Sequence, residues 1–163
     1  MIAVCPGSFD PVTWGHLDIV RRAARLFGEV VVAVGDNQNK SYLFAAPQRV
    51  ELARQVTAGI AGVRVEPMAG LLADFCRRIG DCVIVKGVRF ASDFDYELQM
   101  AHVNGAIGEV ETVLLPASRE YGTISSTFVR DVARHGGDVS AFVPPAVAQA
   151  VRRKIGEESM DVR

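Results

Sequence analysis

Apolar residues follow two alternating patterns along the chain. Five short runs, at residues 2–5, 30–35, 63–66, 82–85 and 112–115, are rich in β-branched residues. Most are apolar at consecutive positions, as strands are when a parallel sheet is covered on both faces. The segments between them carry helical period. Leu17, Val20, Ala24 and Phe27 recur at steps of three and four, with Arg21, Arg22 and Arg25 left for a solvated face, and Leu72, Phe75, Cys76 and Ile79 repeat the pattern. Val50, Ala53 and Val56, then Phe94, Leu98 and Ala101, then Phe128 and Val132 predict three more helices. Pro144 is suited to open a last one carrying Val147, Val151 and Ile155.

Strand and helix alternate to a count of five strands. This predicts a single-domain, Rossmann-like α/β fold, a doubly wound five-stranded parallel sheet with helices on both faces and right-handed crossovers. Ligands of such sheets bind beyond the carboxyl ends of the strands, where strand order reverses, so the chemistry is expected just after strands. The 163 residues fit one domain spanning 1–163 at ~150 residues per domain, with a polar tail at 156–163 expected to fray.

Charge and cysteine content narrow the function. The 18 Lys plus Arg against 19 Asp plus Glu leave a net charge of −1, so there is no global basic footprint for nucleic acid or an anionic membrane. No apolar stretch approaches the ~20 residues that span a bilayer. The start, Met1 to Gly7, lacks the basic flank and small-residue cleavage site of a secretory signal. A cytoplasmic protein without a nucleic-acid or membrane partner is expected. Cys5, Cys76 and Cys82 form no C-x-x-C pair and read as reduced core thiols. His102 and His135 have no partner at metal-ligand spacing, and no resident metal site is expected.

The first run is followed by Pro6-Gly7-Ser8-Phe9-Asp10-Pro11-Val12-Thr13-Trp14-Gly15-His16 and then directly by the first amphipathic segment. Thr13 is a candidate N-cap, which puts His16 in the first helical turn, where unpaired N–H groups and the positive end of the helix dipole gather. That is a phosphate site in outline, and a histidine there suits hydrogen bonding to a phosphate. A capped helix start with an incidental histidine remains the plain alternative. Ser125, Ser126 and Thr127 form a second helix start of the same kind.

Thr13-x-Gly15-His16 resembles the T/H-x-G-H signature of the nucleotidyltransferase superfamily, and Ile124-Ser125-Ser126-Thr127-Phe128-Val129-Arg130 resembles its I-S-S-x-x-x-K/R motif. With Lys40, Val85-Lys86-Gly87-Val88-Arg89, the stretch Asp93 to Met100 and His135-Gly136-Gly137-Asp138-Val139, the chain is similar to the bacterial phosphopantetheine adenylyltransferase family over nearly its whole length. The resemblance implies transfer of the adenylyl group of ATP to 4′-phosphopantetheine, giving dephospho-coenzyme A and pyrophosphate, with a magnesium ion bound to the ATP phosphates. It assigns His16 to the transition state at the α-phosphate. Ser8, Phe9, Gly87, Val88, Arg89, Glu97, Tyr121, Gly122, Thr123, Ile124, Ser125, Ser126 and Thr127 it assigns, with His16, to ATP. Ser8, Lys40, Leu72 and Lys86 it assigns to the acceptor. It also implies a homohexamer and feedback inhibition by coenzyme A.

The nucleophile would already be a phosphate anion, so no general base is needed, and catalysis is expected to be positioning plus charge stabilisation. Lys86 stands where many members carry arginine. Gly70, Trp14 and Tyr121-Gly122-Thr123 also depart from the commonest pattern, without removing a charge that the chemistry needs. Two other readings remain open. One is a relative acting on nicotinamide mononucleotide or glycerol phosphate, against which Thr13 and the pair Lys40 and Lys86 argue; the other is a nucleotide-binding module without catalysis.

Overall fold

The computed structural model describes residues 1–37 and 40–161. Its elements run β1 (Ile2–Gly7), α1 (Trp14–Phe27), β2 (Val30–Gly35), α2 (Ala46–Thr57), β3 (Val63–Met68), α3 (Leu72–Ile79), β4 (Cys82–Val88), α4 (Ala91–Gly108), β5 (Thr112–Pro116), α5 (Ser126–Arg134) and α6 (Pro145–Asp161). The strands form one sheet in the order β3-β2-β1-β4-β5, and every pair is parallel. The chain therefore steps outward from β1 to β3, returns across the sheet, and continues through β4 to β5. Strand order reverses between β1 and β4, which is where such a sheet opens a crevice for a ligand.

The period of two along each strand sorts the core. Ala3, Cys5, Val30, Val32, Val34, Val83 and Val85 face a large apolar cluster with α1, α2, α5 and α6, while Val4, Val31, Ala33 and Ile84 face a smaller one with Phe75 and Cys76 of α3. Both faces of β1, β2 and β4 are thus covered, which explains why these runs are continuously apolar rather than alternating. Each fully buried valine contributes ~1.5–3 kcal/mol relative to exposure. Cys5, Cys76 and Cys82 are free thiols, and burial pushes the Cys5 thiol up to about 12, so it stays protonated.

Several strands run beyond their apolar cores. β4 continues through Lys86, Gly87 and Val88, paired with Leu114, Leu115 and Pro116 of β5, so Lys86 and Gly87 stand on the strand itself rather than in the loop after it. The ladder is a backbone property and persists where side chains turn polar. α6 begins at Pro145, one residue past Pro144, whose carbonyl accepts from the Ala148 N–H at 2.9 Å. The helix carries on through Gly156 to Asp161.

Candidate active site

The first wall of the site is the turn after β1. Phe9 has φ +49°, in the left-handed region that non-glycine residues seldom occupy. Asp10 holds the turn in this conformation. Its buried carboxylate accepts from the N–H groups of Leu43 and Phe44 at 2.8 and 2.9 Å. Thr13 then caps α1 with extended dihedrals, φ −122° and ψ 169°, and its hydroxyl accepts from the His16 N–H. The histidine reciprocates: the Thr13 N–H donates to His16 Nδ1 at 3.0 Å. This is a capping box in which histidine replaces the usual Glu or Gln.

That reciprocal bond fixes the chemistry of the ring. With Nδ1 accepting from a backbone N–H, the neutral imidazole carries its proton on Nε2 and can donate from there. Phe9 packs against the ring, centroids 4.9 Å apart. Burial pushes the His16 pKa down from 6.5 to about 4, and the Arg89 and Lys86 cations add to the effect. Because the folded-state pKa lies below the unfolded one, stability linked to this ring is complete above pH 6.5 and is lost as pH falls toward about 4. In a ¹⁵N NMR titration of the ligand-free protein, the His16 ring is expected to stay neutral down to pH ~5, and a midpoint at the ordinary histidine value of ~6.5 would contradict the assignment.

The second wall is the end of β4 with α4. Lys86 Nζ lies 3.0 Å from Glu97 Oε1, and both side chains are largely shielded. Arg89 donates to Asp93 at 2.8 Å and to the Ile124 carbonyl at 3.0 Å, tying the strand end to the segment before α5. Gly87 has a steric reason to be glycine: a Cβ there would lie 2.8 Å from Ile19 Cγ1 of α1.

The third wall is the start of α5. Ser125 is its N-cap and accepts from the Phe128 N–H at 3.1 Å, while the Ser126 hydroxyl donates to the Pro11 carbonyl at 2.8 Å. These two hydroxyls are therefore engaged in capping and docking. What helix geometry leaves over are the first-turn N–H groups of Ser126 and Thr127. Arg130 donates to the Asp10 carbonyl and sits 3.7 Å from its carboxylate, so the second motif is bolted to the first.

These walls enclose a cleft of about 390 Å³ at the carboxyl ends of β1 and β4. Phe9, His16, Lys40, Lys86, Gly87, Arg89, Glu97 and Tyr121, together with Ile124, Ser125, Ser126 and Thr127, line it. Ser8, Val88, Gly122 and Thr123 do not line it. The Ser8 carbonyl is taken by Arg49 at 2.8 Å, and the Val88 carbonyl by the Ala117 N–H at 2.8 Å. Gly122 and Thr123 belong to a turn, and Thr123 is exposed. Leu72 lines a separate recess of about 80 Å³ that shares Lys86 and Glu97 with the cleft and reaches Asn104 and Thr112. The Thr112 hydroxyl is buried there without a hydrogen-bond partner among the described residues. Among the described residues, no group of three or more His, Cys, Asp and Glu side chains could hold a metal ion.

Asp10, Arg49 and Arg130 are left without a role by the motifs alone, yet they assemble the site. The signal for Arg49 lies in the helical period. It shares a stripe of α2 with Ala53 and Thr57, all of them buried, so an arginine occupies a core position.

The cytidylyltransferase-like family model matches residues 4–132. A phosphopantetheine adenylyltransferase of Cutibacterium acnes is 52% identical over 154 residues, covering 94% of this chain and 98% of its own. One of Streptomyces coelicolor is 52% identical, covering 94% and 96%. One of a Nocardioides species is 55% identical, covering 89% and 91%.

Proposed function

We infer the reaction from the premise that this chain belongs to the phosphopantetheine adenylyltransferases within the cytidylyltransferase-like family, and is a nucleotidyltransferase of coenzyme A biosynthesis. It transfers the adenylyl group of ATP to 4′-phosphopantetheine, releasing pyrophosphate and forming dephospho-coenzyme A. The observation that carries this reading is the convergence of His16, Lys86, Arg89 and two helix N-termini on one cleft at the point where strand order reverses.

A phosphate oxygen of the acceptor attacks the α-phosphorus of ATP, a P–O bond forms, and the bond to the β-phosphate's bridging oxygen breaks. Bringing these anions together is the main obstacle, because two unit charges 4 Å apart interact by ~4 kcal/mol at an effective dielectric of 20. Lys40 and Lys86 offset that repulsion on the acceptor side. Arg89 and the N–H groups of Ser126 and Thr127 offset it at the β- and γ-phosphates. His16 Nε2–H donates to an α-phosphoryl oxygen as charge builds there. Phe9 stands at the junction of the two substrates, with Ser8 beside it behind the cleft wall, and Gly87, Glu97, Tyr121, Ile124 and Ser125 bound the rest of ATP, with Val88, Gly122 and Thr123 supporting that wall from outside the cleft. Leu72 and its recess receive the pantetheine arm. Magnesium would enter with ATP and would supply positive charge against its phosphates.

Glu97 has a second part in this reading. Its ion pair with Lys86 keeps the ammonium in place and shields it until the acceptor phosphate competes for it.

The working form is a homo-oligomer, a hexamer in the family's pattern. α4 supports this: Phe94, Tyr96, Leu98, Val103 and Ile107 are all exposed on one helix, a concentration of large apolar side chains of the kind that a subunit contact would cover. Sedimentation of the protein as a monomer at micromolar concentration would count against it. Coenzyme A, which combines the pantetheine and adenylate features of the product, is a candidate feedback inhibitor at the same cleft. A cytoplasmic location goes with this biosynthetic role; separately, no helix among the described residues is long and apolar enough to cross a membrane.

Pyrophosphate release with ATP tests the reaction. Release is expected with 4′-phosphopantetheine and not with nicotinamide mononucleotide or glycerol phosphate, and the reverse order would assign the chain to another acceptor.

A further inference from the structure

Arg49 has the largest side chain that is fully buried, and its guanidinium is spent entirely on the protein. Nε donates to the Phe44 carbonyl at 3.1 Å, one terminal nitrogen donates to the Ser8 and Gly35 carbonyls at 2.8 and 2.6 Å, and the other pairs with Asp36 at 2.5 Å. The Tyr42 ring stacks on the guanidinium plane at 3.9 Å, and the Tyr42 hydroxyl accepts from the Asn37 N–H at 2.9 Å. The Lys40 N–H in turn donates to the Asn37 carbonyl at 2.9 Å.

We propose that Arg49 is a positioning residue that sets where Lys40 meets the acceptor phosphate. The proposal rests on the reading of Lys40 as an acceptor contact. The segments that Arg49 touches are not equally dependent on it. The turn after β1 is also held by Ser126 at the Pro11 carbonyl and by Arg130 at Asp10, and Leu43 and Phe44 are held by the Asp10 carboxylate. Asp36 and Tyr42, which flank Lys40 on either side, converge on Arg49 itself.

A planar, five-donor fork is needed for this. It reaches two carbonyls from one nitrogen, a third carbonyl from Nε, a carboxylate from the remaining nitrogen, and still presents a flat face to an aromatic ring. A lysine would keep the charge and satisfy a carbonyl or two, yet it would release the Asp36 and Tyr42 flanks. The ATP side of the cleft would keep its second set of clamps. The consequence is selective: loss of the fork weakens the acceptor contact and spares ATP.

The test is steady-state kinetics of Arg49→Lys in the full chain, alone and combined with Lys40→Ala. The single variant is expected to raise KM for 4′-phosphopantetheine about tenfold while KM for ATP and kcat hold. In the Lys40→Ala background it should add nothing, because the contact it positions is already gone. Tyr42→Leu leaves the buried charge untouched and should reproduce the selective KM effect, so the inference remains testable if Arg49→Lys folds poorly. Equal loss with and without Lys40, or a matched rise in both KM values, would mean that Arg49 supports the fold at large and would overturn the inference. An unchanged acceptor KM in Lys40→Ala would remove the Lys40 assignment and this inference with it. Failure of the wild-type chain to release pyrophosphate with this acceptor would instead reject the reaction.

Discussion

Replacing His16 with alanine is expected to lower kcat about a hundredfold to a thousandfold and to leave KM for ATP nearly unchanged, since removing one preorganised donor to a developing oxyanion costs ~2.7–4 kcal/mol in the transition state. The geometry explains the split. Thr13 N–H occupies Nδ1, so the only proton available to a ligand is on Nε2. Burial and the two nearby cations keep the ring neutral in the ligand-free site, with a pKa near 4. A neutral donor adds little to the binding of a phosphate already held by Arg89 and by helix N–H groups, and gains most as negative charge accumulates on the α-phosphoryl oxygens. His16→Gln, which keeps an N–H donor on a side chain of different reach, should recover part of the rate. If His16→Ala raised KM for ATP and left kcat alone, the histidine would be a ground-state contact only.

Removing Lys86 should cost nearly as much, by a different route. Lys86→Met is expected to lower kcat/KM for the acceptor by more than a hundredfold, as truncating one member of a shielded charge pair costs ~2–5 kcal/mol. Two terms combine there. The acceptor phosphate loses a cation, and the Glu97 carboxylate, only 15% exposed, is left without its partner beside the incoming anion. Adding Glu97→Gln to Lys86→Met should therefore restore roughly tenfold of the loss, by removing the repulsion without replacing the cation. Should the double variant be as impaired as the single one, Glu97 would act on ATP alone and not through Lys86. Kinetics of the four forms with the acceptor varied at saturating ATP decide this.

Much of this could be read from residue order. The strands are apolar on consecutive positions because β1, β2 and β4 are covered on both faces, so their runs announced a parallel sheet, and Thr13 before an amphipathic segment announced the start of α1. Strand ends were less legible, since Lys86 and Gly87 look like loop residues but are carried along by ladder bonds that do not depend on side chains. The walls of the cleft follow the two motifs, whereas Ser8 and Val88 stand off it with their carbonyls bonded to Arg49 and Ala117, and Gly122 and Thr123 stand off it between Tyr121 and Ile124, which line it. Least legible were the interactions between distant segments. Asp10 with Leu43, Arg130 with Asp10 and Arg49 with Ser8 join residues separated by 33, 120 and 41 positions, and no local pattern specifies such pairings.

The departures from the commonest family pattern fit the same frame. Tyr121 lines the cleft while Gly122 and Thr123 stand off it, so variation in that run alters one wall position. Trp14, at the first residue of α1, packs against the large core cluster and stacks near the Arg21 guanidinium rather than entering the cleft.

Transfer of an intact adenylyl group between two anions in one cleft is tested most directly by following the α-phosphorus. With ATP labelled at that atom, the label should appear in dephospho-coenzyme A in step with unlabelled pyrophosphate, only when 4′-phosphopantetheine is present. Label recovered as free AMP, or pyrophosphate released without the acceptor, would contradict such a transfer.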